Sequence, residues 1–432
     1  MTKEIYTKKI FASFLLMAAI SFQLRAQDAD TAKPVFKPHG NIWGLTFGDY
    51  VFKGNADTVG SGQGRGSNQY SKVPVDSRYF QFRRVYLGYN YDMSPKFSVE
   101  ILLAAENDLA PGSIGNQNTN GDVLTDGKFA PFLKLADLRW KNIFKGTDLV
   151  MGQMTTPSFP LLSENIWGYR SVERTIADML GTPSYDEGIA LQGHFDPKAN
   201  FGYNLMVGTG NSAKPATNNF QMFYGDIWAK FFDQKLVIDL YQDYEKLNWT
   251  AIDTSNANGY HHDRNTTKLL IAWTVPKFTV GIEALQTTML GDVAANTFSN
   301  RTFYYTTFAT DVSLYVRGRL YKDKLGFFAR YDNYDPGHKI SEITDNPRIV
   351  SYTALTSAYD PTTKQQFVTF GIDYTPFENV HLMPNFYMNT YACTLPSADY
   401  NLNPKGSGVL GTDAVYRLTI YYIFGKKDPV RY

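Results

Sequence analysis

Three adjacent residues, His261, His262 and Asp263, carry the side chains best suited to metal binding or proton transfer. Imidazole and carboxylate groups are common metal ligands, and histidine is a suitable general base near neutral pH. A working site also needs groups that converge on the same point from other parts of the chain, and the sequence predicts none. We therefore expect these residues to belong to a polar loop, and we expect no metal and no cofactor.

Other residues with catalytic potential form no recognisable motif. No serine stands near a histidine in a pattern typical of a hydrolase nucleophile. The only cysteine, Cys393, excludes an intramolecular disulfide and any metal site with several cysteine ligands. His194 and His381 lie at alternating polar positions, which favours a place on a polar strand face. The sequence thus predicts a protein that is not an enzyme.

The charged residues suggest a different kind of chemistry, in which fixed charges attract or repel ions. The chain has 42 basic and 41 acidic residues, so its net charge of +1 produces no field that would attract nucleic acid. Many charges alternate with apolar residues along extended stretches. Those expected to face inward are Arg84, Lys134, Arg317, Arg319, Arg330, Glu100, Glu106, Asp239, Glu283 and Asp332.

The elements that carry these side chains are predicted to be strands of a membrane barrel. Tyrosine and phenylalanine occur 30 times each, yet the mean hydropathy is only -0.31. A transmembrane barrel has this composition because apolar residues face lipid at alternate positions, polar residues face the lumen, and aromatic residues border both interfaces. The expected fold class is all-β, a closed up-and-down transmembrane β-barrel of about 16 antiparallel strands.

Short and long connections are predicted to alternate between these strands. The short ones include the turns at 92–95 and 276–277, and the long ones include 289–305 and 334–364. Short periplasmic turns and long external loops are typical of outer-membrane barrels. An even number of strands, with both chain ends on the periplasmic side, follows from this pattern.

The first and last predicted strands show the clearest alternation of residue types. In Ile42–Tyr50 the small residues Gly44, Thr46 and Gly48 are expected to face inward and the large apolar residues outward. In the last strand one outward stripe is expected to be formed by Tyr416, Leu418, Ile420, Tyr422 and Phe424. The two strands are predicted to pair, because an unpaired edge cannot face lipid.

The N-terminal residues predict export from the cytoplasm. Three lysines among the first nine residues precede an uncharged run, Ile10–Leu24, of 15 residues, which is shorter than a membrane-spanning helix. Residues 1–26 are therefore expected to be a cleaved signal peptide, and 27–39 a short periplasmic segment. The barrel is expected at 40–424 and a C-terminal tail at 425–432, in the outer membrane of a Gram-negative cell.

One long connection, Thr156–Ser184, differs from the others in composition. Prolines lie near both ends, and residues 161–180 between them mix many apolar side chains with a few charges. Such a stretch is unfavourable in water and too irregular for a lipid-facing strand. We expect this third long loop to fold into the barrel and narrow it. An external loop packed on its neighbours is the alternative.

Four short motifs follow one another in the first half of the chain. They are Phe82–Gly88, Leu149–Gln153 leading to Pro157, the pair Glu173-Arg174, and Gly188–Leu191. Their order and spacing resemble the phosphate-selective porin O and P family, and the resemblance covers residues 80–195.

This resemblance implies a sixteen-stranded barrel, a homotrimer and an inward third loop whose arginines face the pore. By position, it implies pore-lining roles for Arg84, Arg170 and Arg174. The inward charges of the other strands are mixed in sign, however, whereas an anion-selective pore should present rings of arginine and lysine. Inward arginines such as Arg84 and Arg330 could equally pair with carboxylates and tie the wall together.

The predicted function is passive diffusion of small hydrophilic solutes through the outer membrane, extended by the resemblance to anions such as phosphate. The expected partners are outer-membrane lipid, these solutes and two further copies of the chain. Two alternatives stay open: a surface-interaction or structural barrel without an open pore, and a barrel enzyme.

Overall fold

The structure, a computed structural model, describes residues 36–57, 70, 73–107, 130–215, 220–247, 262–297, 302–321, 324–336, 349–354, 363–393 and 408–425. The predicted signal peptide lies outside the described residues. His261 and the predicted tail beyond Gly425 also lie outside them.

Within these ranges the chain forms seventeen strands with antiparallel pairing. The strands are β1 His39–Asn55, β2 Arg78–Asp92, β3 Phe97–Glu106, β4 Phe132–Phe144, β5 Thr147–Thr155, β6 Tyr185–His194, β7 Phe201–Gly208, β8 Met222–Phe231, β9 Leu236–Leu247, β10 His262–Val275, β11 Phe278–Thr297, β12 Thr302–Tyr321, β13 Leu325–Asp335, β14 Ile349–Ala354, β15 Thr363–Phe377, β16 Val380–Cys393 and β17 Gly408–Gly425.

All of these strands except β14 close into a sixteen-stranded barrel, which confirms the predicted fold class. Each strand pairs with the next, β13 pairs with β15, and β1 pairs with β17. The seam between first and last strands runs from Trp43 opposite Gly425 to Asn55 opposite Ala414. β14 pairs with the far end of β11, from Val293 onward. Closure leaves no strand edge whose backbone groups would lack hydrogen bonds in lipid.

The outer face of the barrel is apolar, and the inner face combines polar residues with apolar clusters around the first strand and the connection between β5 and β6. In β17, Tyr416 and Phe424 expose 54% and 46% of their surface, whereas Thr419 is fully buried. Phe80 in β2 and Ile227 in β8 are exposed in the same way. The predicted alternation is therefore confirmed for the last strand, and it extends around the barrel.

The predicted orientation of β1 is wrong. Trp43 is almost fully buried inside the barrel, where its indole Nε1 donates a hydrogen bond to Asn90 Oδ1 at 2.6 Å. Phe47 likewise faces inward and packs edge-on against Tyr421. Gly44 lies on the outer face, where the ring of Phe424 covers it. A Cβ at Gly44 would lie 2.2 Å from that ring. The small residues of β1 thus make room for neighbouring aromatic rings on the outer surface.

Several strands extend farther than their sequence pattern predicts, and β10, β11 and β12 do so on the side of the predicted long loops. β11 and β12 stay paired as far as Asn296 opposite Thr302, within the predicted loop at 289–305. β10 begins at His262, so His262 and Asp263 belong to a strand and not to a polar loop. Backbone hydrogen bonds can continue a hairpin beyond the region that contacts lipid. Such an extension needs no apolar face, so its sequence lacks the alternation of apolar and polar residues.

The two described helices, α1 Ser163–Trp167 and α2 Ile176–Met179, lie in the connection between β5 and β6. Neither they nor any other helix in the described ranges is long and apolar enough to cross a membrane. Around α2, Phe159, Ile176 and Ala177 are buried against Leu285 of β11. This connection therefore contributes part of the hydrophobic core.

Candidate functional site

The connection 156–184, called here the inner segment, is closed at its base by its own hydrogen bonds. The backbone N–H of Thr156 donates to the carbonyl of Ser184 at 3.1 Å. The hydroxyls of Thr156 and Ser158 both donate to the carbonyl of Pro183, at 2.6 and 2.9 Å. Helix α1 is capped at its C-terminal end by Gly168, whose positive φ of 71° turns the chain back. The segment is thus a defined structure and not an extended loop.

Apolar side chains of the inner segment pack against strands β10, β12 and β13. The ring of Trp167 lies 5.4 Å from that of Tyr315 and 6.3 Å from that of Phe328, both edge-on. Val172 and Leu270 belong to the same fully buried cluster. Burying one such side chain stabilises the packed arrangement by about 1.5 to 3 kcal/mol.

Two cationic side chains of the wall bind the inner segment near α1. Lys268 Nζ of β10 donates to the hydroxyl of Ser163 at 2.6 Å, and Arg317 Nε of β12 donates to the carbonyl of Ile166 at 2.9 Å. Lys268 is fully buried. Arg317, which was predicted to line the lumen, and Lys268, which was not, are therefore both engaged in contacts to the segment.

Arg330 of β13 binds the segment farther along. Its guanidinium pairs with Asp332, with Nε 2.8 Å from Oδ1, and also donates to the carbonyl of Arg174. The same group lies 5.5 Å from the ring centre of Trp167. A residue predicted to line the pore is thus enclosed between the wall and the segment.

Arg83 of β2 is the fourth cationic side chain that binds the inner segment. It pairs with Asp49 of β1 at 2.6 Å and donates to the carbonyls of Ser171 and Val172. Arg83 is the extra residue of a bulge, because Phe47 pairs with Arg84 while the next residue of β1 pairs with Phe82. The four side chains Arg83, Lys268, Arg317 and Arg330 are called the clamp below.

Tyr169 adds a neutral contact between the segment and β15. Its hydroxyl donates to Asp373 Oδ2 at 3.2 Å. Burial, together with the nearby Asp373 carboxylate, raises the pKa of Tyr169 above its ordinary value. The phenol therefore keeps its proton and remains a donor at any physiological pH.

A cavity of about 410 Å³ lies on the other side of the inner segment, against β1 to β6 and β17. Tyr86, Tyr185 and Tyr421 contribute aromatic rings to its lining, and Asn90 and Gln192 contribute amides. The charged residues that line it are Asp92, Glu100, Lys134, Asp137, Arg139, Glu164, Arg170 and Asp178. Because the clamp residues Lys268, Arg317 and Arg330 hold the segment toward β10 to β13, the open space is on the β1 to β6 side.

Three of the predicted site residues form one cluster beside this cavity. Lys134 of β4 pairs with Glu106 of β3, and Arg84 Nε lies 3.5 Å from the same carboxylate. The ammonium group of Lys134 also lies 4.9 Å from the ring centre of Tyr86 and 4.7 Å from that of Tyr185. The two cations thus share one carboxylate, which also accepts a hydrogen bond from the hydroxyl of Tyr86.

The two arginines of the inner segment are paired within the segment itself. Arg170 lies 3.1 Å from both Glu164 and Asp178. Burial opposes its charge, but Asp178 and Glu164 outweigh it and raise the pKa of Arg170. Arg174 lies 3.9 Å from Glu173 and 3.8 Å from Asp178. Both residues are charged, but neither presents an unbalanced positive charge to the cavity.

The other predicted site residues lie on inner faces at different places. Arg319 pairs with Asp373 at 3.2 Å, and Glu283 lies 3.5 Å from Lys268 and is buried. Glu100 faces the cavity directly opposite Asp137 in the register of β3 and β4. No group of three or more histidine, cysteine, aspartate or glutamate side chains within the described ranges is placed to hold a metal ion.

Sequence reasoning missed Arg83, Lys268, Asp137 and Arg139 as residues of this region. For Arg83 a signal was present: two consecutive arginines within a strand would place one of them in lipid unless a bulge turned both inward. For Lys268 the signal was weaker, since a lysine followed by apolar residues could also mark a strand end.

No known family profile matches the chain, and no curated protein sequence matches it. Solved structures do match. The outer membrane channel DcaP of Acinetobacter baumannii aligns with a TM-score of 0.57 at 12% identity, over 90% of this chain and 97% of that one. At this identity the match shows the fold alone.

Two further structures have the same fold. An anion-selective porin from Comamonas acidovorans aligns with a TM-score of 0.51 at 10% identity, over 90% of this chain and 100% of that one. A trimer form of OmpT, an outer membrane protein of Vibrio cholerae, aligns with a TM-score of 0.50 at 10% identity, over 90% and 99%. This chain therefore has the architecture of outer-membrane porins, without a demonstrated link to the phosphate-selective family.

Proposed function

We propose that this chain is an outer-membrane channel through which small hydrophilic solutes diffuse passively. The observation that carries the proposal is the charged and polar cavity between the inner segment and strands β1 to β6, inside a closed barrel. Diffusion makes and breaks no covalent bond, so the function requires no catalytic group. The fold shared with known outer-membrane channels supports the same conclusion.

The outer surface supports a location in the membrane. Phe80, Ile227 and Tyr416 each expose more than half of their surface on the outside of the barrel. An apolar band of this kind is unfavourable in water but is the normal lipid contact of a transmembrane barrel. Export through the predicted signal peptide at 1–26 fits this location.

The inner segment acts in this proposal as a fixed constriction. Its apolar side packs on β10 to β13, and its charged edge, with Glu164, Arg170 and Asp178, borders the cavity. A solute would pass between that edge and the wall residues Glu100 and Lys134. Lumen width and the charges at this level would then set which solutes pass.

A homotrimer is part of the proposal, supported by the trimer form of the OmpT neighbour and by the resemblance to phosphate-selective porins. Phosphate as the solute has less support, because Arg170, Arg174 and Arg330 are all paired with carboxylates. Small hydrophilic solutes in general fit the mixed lining better.

The test is conductance of the purified, refolded protein in a planar lipid bilayer. We expect discrete current steps in KCl that persist for as long as the protein stays inserted. Adding neutral polyethylene glycols of increasing size should first lower the current and then, above a cutoff set by the constriction, have no effect. A matched sample, unfolded by heating in detergent before insertion, should give no steps.

A folded barrel that inserts but carries no current would overturn the proposed function. It would favour the structural or surface-interaction barrel instead. Correct insertion can be checked independently, because a folded barrel migrates differently from the heated chain on a gel in mild detergent.

A further inference from the structure

The charges that face the cavity are not balanced. Five carboxylates and three cationic groups line it. This imbalance is opposite to the arginine-rich lining that the resemblance implies. Fixed charges in a narrow passage act on a permeating ion more strongly than charges in bulk water, so the surplus affects which ions enter.

Each cationic group of the lining is already paired. Arg170 lies between Glu164 and Asp178, and Lys134 pairs with Glu106. Pairing at these distances cancels most of the field that a positive charge would project into the passage.

Arg139 is paired in the same way. Its guanidinium lies 3.1 Å from Asp148 Oδ2 and donates to Gln192 Oε1 at 2.7 Å. Asp92, on the acidic side of the count, pairs with Lys141. The lining therefore consists largely of ion pairs.

Glu100 and Asp137 are the exception. They are directly opposite each other in the register of β3 and β4, both on the inner face, and neither forms an ion pair with a described residue within 4.0 Å. Opposed side chains in an antiparallel pair have Cβ atoms about 4.5 to 5.5 Å apart, so the two carboxylates act at one place. The nearest cation along β4, Arg139, is held by Asp148.

We propose that the passage prefers cations over anions, and that Glu100 and Asp137 set this preference. The inference rests on the proposed function, because it describes the selectivity of the same passage. The solutes it favours are small inorganic cations and hydrophilic molecules that carry an ammonium or guanidinium group.

The size of the effect follows from Coulomb's law. A unit charge about 7 Å from an ion in water changes the local concentration of that ion about two- to threefold. Two carboxylates at one level, when both are ionised, should therefore change the cation-to-anion permeability ratio by about fourfold or more. The effect should be largest at low salt, since the screening length is about 30 Å near 0.01 M.

The experiment is the reversal potential of the inserted protein in a KCl gradient at low ionic strength and about pH 9, because two carboxylates at one place repel each other and both are fully ionised only well above neutral pH. The wild type, the double variant Glu100→Gln/Asp137→Asn and a control variant Glu378→Gln are compared. Glu378 is exposed in the turn between β15 and β16 and does not line the cavity. Its substitution also replaces a carboxylate by a neutral amide, but outside the passage.

We expect a reversal potential of cation-preferring sign for the wild type and for Glu378→Gln. The double variant should lose at least about three quarters of this preference. An anion-preferring wild type, or a double variant that equals the wild type, would overturn the inference while leaving the channel function intact. A barrel without any current would instead overturn the proposed function.

Assembly of the double variant is checked by its conductance and its gel migration. If the double variant does not fold, the single variant Glu100→Gln and the sign of the wild-type reversal potential test the proposed cation preference in the same assay. A single variant should lose about half of the preference or more, and no change would count against the proposal.

Discussion

Arg83 connects three parts of the molecule through one side chain. It pairs with Asp49 of β1, it lies in β2, and it donates to the backbone of the inner segment at Ser171 and Val172. Arginine suits this position because its planar group carries five N–H donors in a fixed arrangement. A lysine has three donors on one compact nitrogen, so it lacks the planar arrangement that lets Arg83 reach Asp49 and the segment backbone together.

Replacing Arg83 with methionine should therefore loosen the segment and destabilise the barrel. The Asp49 carboxylate would lose its buried cationic partner, which typically costs about 3 kcal/mol or more. We expect a lower unfolding temperature and added current noise from a segment that moves. The matched control is Arg78→Met, on the same strand but exposed, where both quantities should stay near their wild-type values.

Tyr169 gives the same segment a dependence on alkaline pH. Its pKa is raised in the folded protein, while in the unfolded chain the phenol loses its proton near pH 10. The stabilising effect of this proton is therefore complete below about pH 10 and declines as the pH rises further.

Replacing Tyr169 with phenylalanine should cost about 1 kcal/mol at neutral pH, because the hydrogen bond to Asp373 is lost. The difference in unfolding free energy between wild type and variant should shrink above about pH 10. Urea unfolding followed by tryptophan fluorescence at several pH values measures it. A difference that grows with pH would contradict this account.

Strands β1 and β2 show what alternation can and cannot predict for a single element. Alternation located both strands, because the outer surface must be apolar along the whole length that lipid covers. It failed on the orientation of β1, since large and small residues alternate there with apolar residues on both faces. The inner face of β1 is apolar around Trp43 and Phe47, and no rule local to β1 reveals this.

The outward position of Gly44 can be tested by adding one methyl group. A Cβ at Gly44 would meet the ring of Phe424 at 2.2 Å and the backbone oxygen of Tyr86 at 2.7 Å. Gly44→Ala must therefore shift the seam between β1 and its neighbours, at a cost of about 1 to 3 kcal/mol.

The control for this substitution is Gly225→Ala in β8. A Cβ there would meet its nearest neighbour, Leu205, at 3.4 Å, which is an ordinary contact. We expect Gly44→Ala to lower the unfolding temperature of the barrel and Gly225→Ala to leave it almost unchanged. Equal changes in the unfolding temperature would show that a side chain at Gly44 is accommodated despite Phe424 and Tyr86.

For the whole molecule, the sequence predicted the barrel, its strand number and its closure. These follow from physical requirements that every strand must satisfy, so the signal is repeated many times. Charge pairing was not predictable in the same way. Whether Arg330 faces solute or the segment depends on where residues more than 150 positions away are folded. Lumen charge is therefore a property of the assembled molecule and not of any one strand.

The charge balance of the passage leads to one more prediction, for Arg170→Ala. This change removes the cation that lies 3.1 Å from both Glu164 and Asp178, so the edge of the cavity would lose one positive charge. We expect the cation-to-anion permeability ratio to rise. The reversal potential at low salt measures this ratio, and an unchanged ratio would mean that these charges do not reach the passage.

The seam between β1 and β17 also constrains how the protein is made. The hydrogen bond from Thr419 to Asp49 joins residues 370 positions apart. Closing a loop of that length costs about 3 kcal/mol more chain entropy than closing a hairpin of about ten residues. Until β17 is available, β1 and β16 both present open edges that can pair with other chains. The nascent chain therefore cannot reach its native state during synthesis, and chains that stop before β17 should aggregate or be degraded instead of inserting as smaller barrels.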